Sequence, residues 1–158
     1  MFLELESVFN TPGFVLPFRY ALTGFEGLLP LTAPPAVSGQ ARNRAGIVIL
    51  AGRAGLCMDV RCDRCAASFD YAADVPFEHT LVLSLNDGEN DELVLLDGFR
   101  WSPDSLIWED LVLSLPPKLL CRPACAGLCP RCGQNLNEGA CACKPQGDPR
   151  WAALRELI

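Results

Sequence analysis

Two runs of β-forming residues, Gly46-Ile47-Val48-Ile49-Leu50-Ala51-Gly52 and Leu56-Cys57-Met58-Asp59-Val60-Arg61, flank the short segment Arg53-Ala54-Gly55. Valine and isoleucine are enriched in strands, and a short glycine-containing segment between two such runs is typical of a hairpin. The sequence therefore predicts a β-hairpin over residues 46–61, around which a sheet can form.

Further β-forming segments lie on both sides of this hairpin. Residues 69–85 predict one or two strands that end at the turn Asn86-Asp87-Gly88, and residues 93–96 predict another short strand. The first 20 residues hold short apolar runs broken by prolines, which favour short strands or edge segments over a helix. Residues 30–45 are rich in proline and predict an exposed loop. Together these segments predict an antiparallel sheet of about five strands.

A helix is predicted after the sheet, over residues 103–115. Ser102 can accept hydrogen bonds from the first free amides of a helix, Pro103 suits the first helical position, and Asp104 favours the positive end of the helix. Five apolar residues of this segment form one face that is expected to pack on the sheet; they are Ile107, Trp108, Leu111, Val112 and Leu115. The predicted fold class is therefore α+β, an antiparallel β-domain with one packed helix.

Charge and cysteine content change near Pro116-Pro117, which also ends the helix. The chain has 158 residues and a net charge of −6, with a net −9 in residues 1–115 and a net +3 in residues 116–158. Six of the nine cysteines lie between residues 121 and 143. This shift predicts a β-rich domain over 1–115 and a small cysteine-rich module over 116–158. The module ends in a predicted short tail helix, which begins at Asp148-Pro149 and needs a surface to dock on.

Composition excludes several classes of protein. Hydrophobic residues make up 50% of the chain, which is too many for a mostly disordered protein. The sequence contains no apolar stretch near the ~18 residues that span a bilayer. The first residues include Glu4 and Glu6 and lack the basic start of a signal peptide. The sequence therefore predicts a cytoplasmic protein with no membrane partner, in which cysteines are not expected to form structural disulfides.

The spacing of the cysteines predicts zinc binding instead. Cys129 and Cys132 form a C-x₂-C motif followed by Gly133, and Cys141 and Cys143 form a C-x-C pair. Structural zinc is surrounded by four thiolates, and glycine after the second cysteine tolerates the positive φ that such a turn often needs. These four cysteines are therefore predicted to hold one zinc ion, which substitutes for the apolar core that the turn-rich segment lacks.

The remaining cysteine pairs predict another zinc site. Cys62 and Cys65 form C-x₂-C, and Cys121 and Cys125 form C-x₃-C. The two pairs would complete a four-thiolate site that clips the C-terminal module to the sheet. Spacing leaves the pairing open, because ligands could be shared or exchanged between the two sets. Cys57 lies within a β-forming run and is predicted to be a buried, apolar thiol.

Cys62 and Cys65 also allow a different interpretation, a thiol–disulfide oxidoreductase. Arg61 and Arg64 would lower the pKa of the neighbouring thiols. Such enzymes normally place C-x₂-C at a helix N-terminus in a βαβ unit, whereas this motif lies between two predicted strands. The single histidine, His79, has no partner motif and is predicted to be a surface residue of a strand. No phosphate-binding loop, dinucleotide fingerprint or nucleophile elbow occurs, so the sequence predicts a protein that is not an enzyme and has no small-molecule substrate.

Several segments together resemble one family. They are Cys62-Asp63-Arg64-Cys65, the helix end Leu113-Ser114-Leu115-Pro116 with Leu120-Cys121, the block from Gly127 to Gly139 with Cys141-Ala142-Cys143, and the closing Asp148-Pro149-Arg150-Trp151. With them the chain resembles the bacterial large ribosomal RNA subunit accumulation proteins, the YceD-like family. The resemblance covers residues 45–158 well and the first 44 residues weakly.

The resemblance implies a role in synthesis, processing or stability of 23S ribosomal RNA, and hence in assembly of the large ribosomal subunit. It carries over no catalytic residues. Because phosphate binding depends on Lys and Arg, this acidic chain suits a ribosomal protein or an assembly factor on the precursor large subunit better than direct contact with 23S rRNA. A zinc-knuckle RNA-binding regulator is the alternative, in which a small basic patch would contact RNA: Arg122, Arg131, Lys144 and Arg150.

Overall fold

The structure is a computed structural model that describes residues 1–25, 27–84 and 93–143. Its elements in chain order are β1 (Leu3–Glu4), α1 (Glu6–Asn10), β2 (Val15–Ala21), β3 (Ala36–Arg44), β4 (Ile47–Arg61), β5 (Ser68–Val82), β6 (Leu93–Leu95), β7 (Arg100–Trp101) and α2 (Asp104–Ser114). Five strands form the main sheet in the order β2-β3-β4-β5-β6, and β1 pairs with β7. The predicted α+β class is confirmed.

Two long strands, β4 and β5, dominate the sheet. Each has 15 residues, and they pair antiparallel from Val48 opposite Leu81 to Arg61 opposite Ser68. The hairpin predicted around Arg53-Ala54-Gly55 is therefore wrong, because the chain passes through this segment as one continuous strand. The turn that joins β4 to β5 comes only after Arg61, at residues 62–67.

Two glycines inside the sheet serve close packing. Gly39 and Gly52 lie opposite each other on neighbouring strands. A Cβ atom on Gly52 would lie 2.7 Å from Cζ of Phe77, and one on Gly39 would lie 2.9 Å from Cζ of Phe18. The two aromatic rings thus lie over the two glycines on the core side of the sheet. A glycine inside a strand marks such a close approach as readily as it marks a turn.

Residues 36–44 form strand β3 rather than the predicted loop. Val37, Ala41 and Asn43 are buried, which is the alternation of a strand with one face in the core. Asn43 donates from Nδ2 to the carbonyl oxygen of Val8 at 2.8 Å and accepts at Oδ1 from the Gly46 amide at 2.9 Å. The buried asparagine thereby holds the C-terminal turn of α1. This short helix also corrects the expectation that the first 20 residues are strands only.

The sheet is antiparallel except at one edge. β6 runs parallel to β5, with Leu93 opposite Thr80 and Leu95 opposite Val82. A fully antiparallel sheet is therefore a wrong prediction at this pair, since a short apolar run predicts a strand but not its direction. The turn predicted at residues 86–88 lies outside the described residues.

Cys57 lies on the outer face of β4 and is exposed. Its neighbours Leu56 and Met58 are buried, because successive residues of a strand point to opposite faces. The prediction of a buried apolar thiol is wrong. The sequence indicates a strand here, but not which of its residues face the core.

Helix α2 lies against β4 and β5. Ile107, Trp108 and Leu111 are buried on its inner face as predicted, whereas Val112 is exposed. The cap predicted at Ser102 is wrong, because Pro103 occupies the N-cap position and no side chain caps the helix.

His79 is half-buried rather than at the surface. Its Nε2 lies 2.7 Å from Oδ2 of Asp110, which joins β5 to α2.

In the described part of the chain, no helix is long and apolar enough to cross a membrane. The tail helix predicted from Asp148-Pro149 lies outside the described residues, as do Lys144 and Arg150.

Candidate metal centres

Four thiols meet at the end of the long strand pair and form what we call the first cluster: Cys62, Cys65, Cys121 and Cys125. Their Sγ atoms all lie within 4.8 Å of one another. Cys62 and Cys65 lie in the turn between β4 and β5, and the other two follow α2 in the chain. Sγ of Cys62 lies 3.8 Å from Sγ of Cys125, and Sγ of Cys65 lies 3.7 Å from Sγ of Cys121.

The second cluster is formed locally, by Cys129, Cys132, Cys141 and Cys143. Its four Sγ atoms also lie within 4.8 Å of one another. The structure thus brings together both sets of four that the spacing suggested, with no ligand exchanged between them. Their role as metal ligands stays a prediction.

The two C-x₂-C turns have the same backbone geometry. In the first, the Cys62 amide donates to the Ala67 carbonyl and the Ala66 amide donates to the Cys62 carbonyl, both at 2.9 Å. In the second, the Cys129 amide donates to the Gln134 carbonyl at 2.8 Å and the Gly133 amide donates to the Cys129 carbonyl at 2.9 Å.

The residue after the second cysteine is left-handed in both turns, with φ of +57° at Ala66 and +74° at Gly133. The positive φ anticipated at Gly133 is confirmed. At Ala66, the same turn places a residue with a side chain in this conformation, which alanine adopts only at a cost. The shared hydrogen bonds and the shared left-handed residue define one turn type, which we call the knuckle.

The sulfur positions fit a tetrahedral metal. A Zn–S bond of about 2.3 Å implies tetrahedron edges of about 3.8 Å. The Cys62–Cys125 and Cys65–Cys121 sulfur separations of 3.8 Å and 3.7 Å match this length. The same separations are far longer than the roughly 2.05 Å of a disulfide bond, and all nine cysteines are free. Either cluster could therefore hold a metal ion by four sulfur ligands.

Hydrogen bonds lower the pKa of some thiols in each cluster. The Cys121 amide is the main cause that lowers the pKa of the Cys62 thiol to about 6, against the opposing effect of burial. The amides of Cys132 and Arg131 lower the pKa of the Cys129 thiol to about 6. Against the opposing effect of burial, hydrogen bonds from the Asn137 side chain and the Gly127 amide lower the pKa of the Cys125 thiol. Since only the thiolate binds metal, the first cluster favours two cysteines in the metal-binding form and the second favours one.

Other thiols of the clusters hold their protons more tightly. Burial raises the pKa of the Cys121 thiol to about 12. A hydrogen bond with Cys132 and burial raise the pKa of the Cys143 thiol to about 12. Four thiolates cannot gather in so small a volume without a positive charge among them, and a divalent cation would supply that charge.

Asp63 and Arg64, the two residues inside the first knuckle, attach the C-terminal segment to the sheet. The Asp63 amide donates to the Leu119 carbonyl at 2.9 Å, and the Leu119 amide donates to Oδ2 of Asp63 at 2.6 Å. Arg64 donates from Nη1 to the Cys125 carbonyl at 3.0 Å. Sequence reasoning missed both attachments and treated Arg64 as a modifier of thiol pKa, since the contact partners lie some 56 and 61 residues away.

Asn137 is a third residue that the sequence reasoning missed. It lies between the two ligand pairs of the second cluster, and its Nδ2 donates to Sγ of Cys125 in the first cluster at 3.4 Å. The only available signal was a turn-rich run with Asn135, Asn137 and Gly139, which predicts turns but not a contact with another cluster.

The fold and the clusters define a small α+β protein whose main sheet is joined to a C-terminal segment through the first four-cysteine cluster, while the second cluster lies within that segment. The family model of the large ribosomal RNA subunit accumulation protein YceD matches residues 50–158. This range includes both clusters and most of the described core strands. The chain belongs to the YceD family.

Among curated proteins, the chain is similar to uncharacterized proteins from Mycobacterium bovis and from two strains of Mycobacterium tuberculosis. Each is 48% identical over 46 residues, which is 29% of this chain and 22% of the relative. The matched part of the chain thus spans less than a quarter of these relatives. No solved structure matches the chain.

Proposed function

We propose that the protein is a non-enzymatic factor in the synthesis, processing or stability of 23S ribosomal RNA, and so in assembly of the large ribosomal subunit. The observation that carries the proposal is the match to the YceD family over residues 50–158. Depletion of the protein is expected to lower 23S RNA relative to 16S RNA, and restoring the chain should reverse this. Unchanged 23S RNA after depletion would refute the proposal.

Both clusters are proposed to bind structural zinc. The supporting observations are the all-sulfur ligand sets, the sulfur separations near a tetrahedron edge and the amides directed at the thiols. Soft thiolate ligands in a tetrahedral set favour zinc over magnesium, calcium or manganese. Metal analysis of the freshly purified, reduced chain is expected to find two equivalents of zinc. Less than half an equivalent would exclude a structural metal.

The proposed partner is a basic ribosomal protein or an assembly factor, in preference to bare RNA. The chain carries a net charge of −6, and each Zn(Cys)₄ centre lowers the formal charge by a further two. RNA binding gains most of its affinity from cations that neutralise phosphates. Affinity purification from cells is expected to recover a basic large-subunit protein or assembly factor, and to do so after ribonuclease treatment.

The RNA-binding alternative makes the opposite prediction. Direct binding would give an affinity for 23S RNA fragments that falls steeply as salt increases. Tight binding of purified protein to RNA at low salt, together with loss of the protein partner after ribonuclease treatment, would favour the zinc-knuckle regulator over the protein-binding factor.

One observation favours the oxidoreductase alternative: amide hydrogen bonds lower the pKa of Cys62 to about 6. Cys62 and Cys65 are only 3% and 5% exposed, however, and catalytic thiols need access to their substrate. We therefore propose that these cysteines are structural ligands. Rapid alkylation of Cys62 well below pH 7 in the zinc-loaded chain would argue for the enzyme instead.

A further inference from the structure

We propose that the two clusters bind their metal ions cooperatively and that Asn137 is the positioning residue that couples them. The inference rests on the proposed zinc binding. Asn137 lies in the loop 133–140, which connects Cys132 to Cys141 in the second cluster, but its side chain contacts the first cluster.

The side chain of Asn137 holds the C-x₃-C segment of the first cluster from two sides. Its Nδ2 donates to Sγ of Cys125 at 3.4 Å. Its Oδ1 accepts from the Ala126 amide at 2.9 Å and from Nη2 of Arg122 at 2.6 Å. The same amide group therefore touches a ligand atom and the residues on both sides of that ligand.

The orientation of this amide group is set within its own loop. Nδ2 and the backbone amide of Asn137 both donate to Oδ1 of Asn135, at 2.7 Å and 3.1 Å. The nitrogen of the side chain is thereby directed at Cys125 and its oxygen at Arg122. The structure shows this arrangement with the loop closed between Cys132 and Cys141.

A backbone path runs beside the side-chain contact. The Leu136 amide donates to the Gly127 carbonyl at 2.9 Å, and the Leu128 amide donates to the Arg64 carbonyl at 3.1 Å. The loop of the second cluster therefore packs on residues 126–128, which pack in turn on the first knuckle. Gly127 permits this approach, because its φ is +78° and a Cβ there would lie 3.2 Å from the Arg64 carbonyl oxygen.

Metal at the second cluster ties Cys129 and Cys132 to Cys141 and Cys143, and so closes the loop that carries Asn137. Closing the loop costs conformational entropy. Once the ion of the second cluster has ordered the loop, the first cluster gains the N–H···S hydrogen bond without that entropy cost. This is positive coupling between the two metal sites. Linkage is reciprocal, so either ion raises the affinity of the other by the same factor. For one hydrogen bond to a charged acceptor, we expect metal affinity at one cluster to rise at least about tenfold when the other cluster is filled.

The test is a zinc titration of the reduced, metal-free full chain, with native mass spectrometry counting molecules that carry zero, one and two zinc ions. At half saturation the natural chain is expected to show mainly the zero- and two-zinc forms. Asn137→Asp keeps the oxygen that accepts from Ala126 and Arg122 but removes the donor to Cys125. The one-zinc form is expected to become the main species in this variant. Gln134→Ala is the matched control, since Gln134 lies in the same loop with an exposed side chain, and its described hydrogen bond is made by its backbone carbonyl.

A spectroscopic readout separates a role at Cys125 from general loop stability. In the cobalt(II)-loaded chain, Asn137→Asp is expected to shift the thiolate-to-cobalt charge-transfer bands, whereas Gln134→Ala leaves them unchanged. If the natural chain binds two zinc ions but its one-zinc fraction at half saturation is no lower than that of Asn137→Asp, coupling through Asn137 is refuted while zinc binding stands. If Asn137→Asp keeps the natural distribution and spectrum, the role of Asn137 is refuted. If the natural chain binds no zinc, the metal proposal itself fails.

Discussion

The two clusters share a knuckle but differ in what they connect. The first joins thiols separated by 56 and 63 residues, and three of its four cysteines are buried. The second joins thiols within residues 129–143, and Cys132 is exposed. A cross-link between distant segments removes more freedom from the unfolded chain than a local one does. The same local turn is therefore expected to stabilise the whole fold in one case and a short segment in the other.

The largest effect is expected from loss of the first cluster. Cys62→Ser removes a buried ligand, and structural zinc contributes about 10 kcal/mol or more in small zinc peptides. The thermal midpoint of the zinc-loaded chain is expected to fall by at least about 10 °C, with one zinc equivalent lost. The matched control is Cys57→Ser, which changes an exposed strand cysteine outside both clusters. Equal effects of the two substitutions would contradict the assignment.

A smaller, local effect is expected from loss of the second cluster. Cys129→Ser should expose the segment after Cys125 to protease while the main sheet stays folded, because the sheet core contains no residue of this cluster. Limited proteolysis with mass mapping and circular dichroism measure the two parts separately. Global unfolding of this variant would show that the second cluster is part of the same cooperative unit as the sheet.

Reactivity toward an alkylating reagent should also distinguish the clusters. Cys132 is exposed, whereas Cys62, Cys65 and Cys125 are buried, and access limits the reaction of a thiolate with an electrophile. With limiting N-ethylmaleimide, the zinc-loaded chain is expected to be labelled at the second cluster before the first, with release of one zinc equivalent. Exposed Cys57 serves as an internal reference. Equal labelling of both clusters would mean that burial does not protect the first.

The smallest effects are expected at the left-handed residue of each knuckle. Ala66→Gly relieves an unfavourable backbone conformation and should raise the thermal midpoint slightly, by up to about 3 °C. Gly133→Ala introduces that strain and should lower it by about 2–4 °C, since a Cβ there meets no other atom within 4 Å and only the conformational cost acts. Shifts of the same sign would show that the two knuckles are not equivalent.

Local patterns were sufficient for several features. The C-x₂-C spacing with Gly133 predicted a turn with positive φ, and the turn has it. The apolar stripe of Ile107 and Leu111 predicted a helix packed on a sheet, and Pro116-Pro117 predicted its end. These features depend on residues within one or two turns of each other, whose geometry is set by backbone sterics and side-chain spacing.

Other features depended on contacts between segments far apart in the chain. Gly52 and Gly39 lie within strands where Phe77 and Phe18 pack over them, and the local sequence does not distinguish such glycines from glycines of a turn. Cys57 faces outward because the register of β4 directs Leu56 and Met58 into the core. The parallel direction of β6 also depends on distant segments, because the path of the chain between β5 and β6 sets whether the two strands run parallel or antiparallel.

The metal centres show the same division. Amino-acid spacing was enough to predict that the four cysteines of the second cluster lie together, because all four fall within residues 129–143. Tertiary structure decided that Cys62 and Cys65 meet Cys121 and Cys125, through the hydrogen bonds of Asp63 and Arg64. It also decided that Asn137 reaches from one cluster to the other. Such pairings arise only when the folded sheet brings distant segments within hydrogen-bond distance.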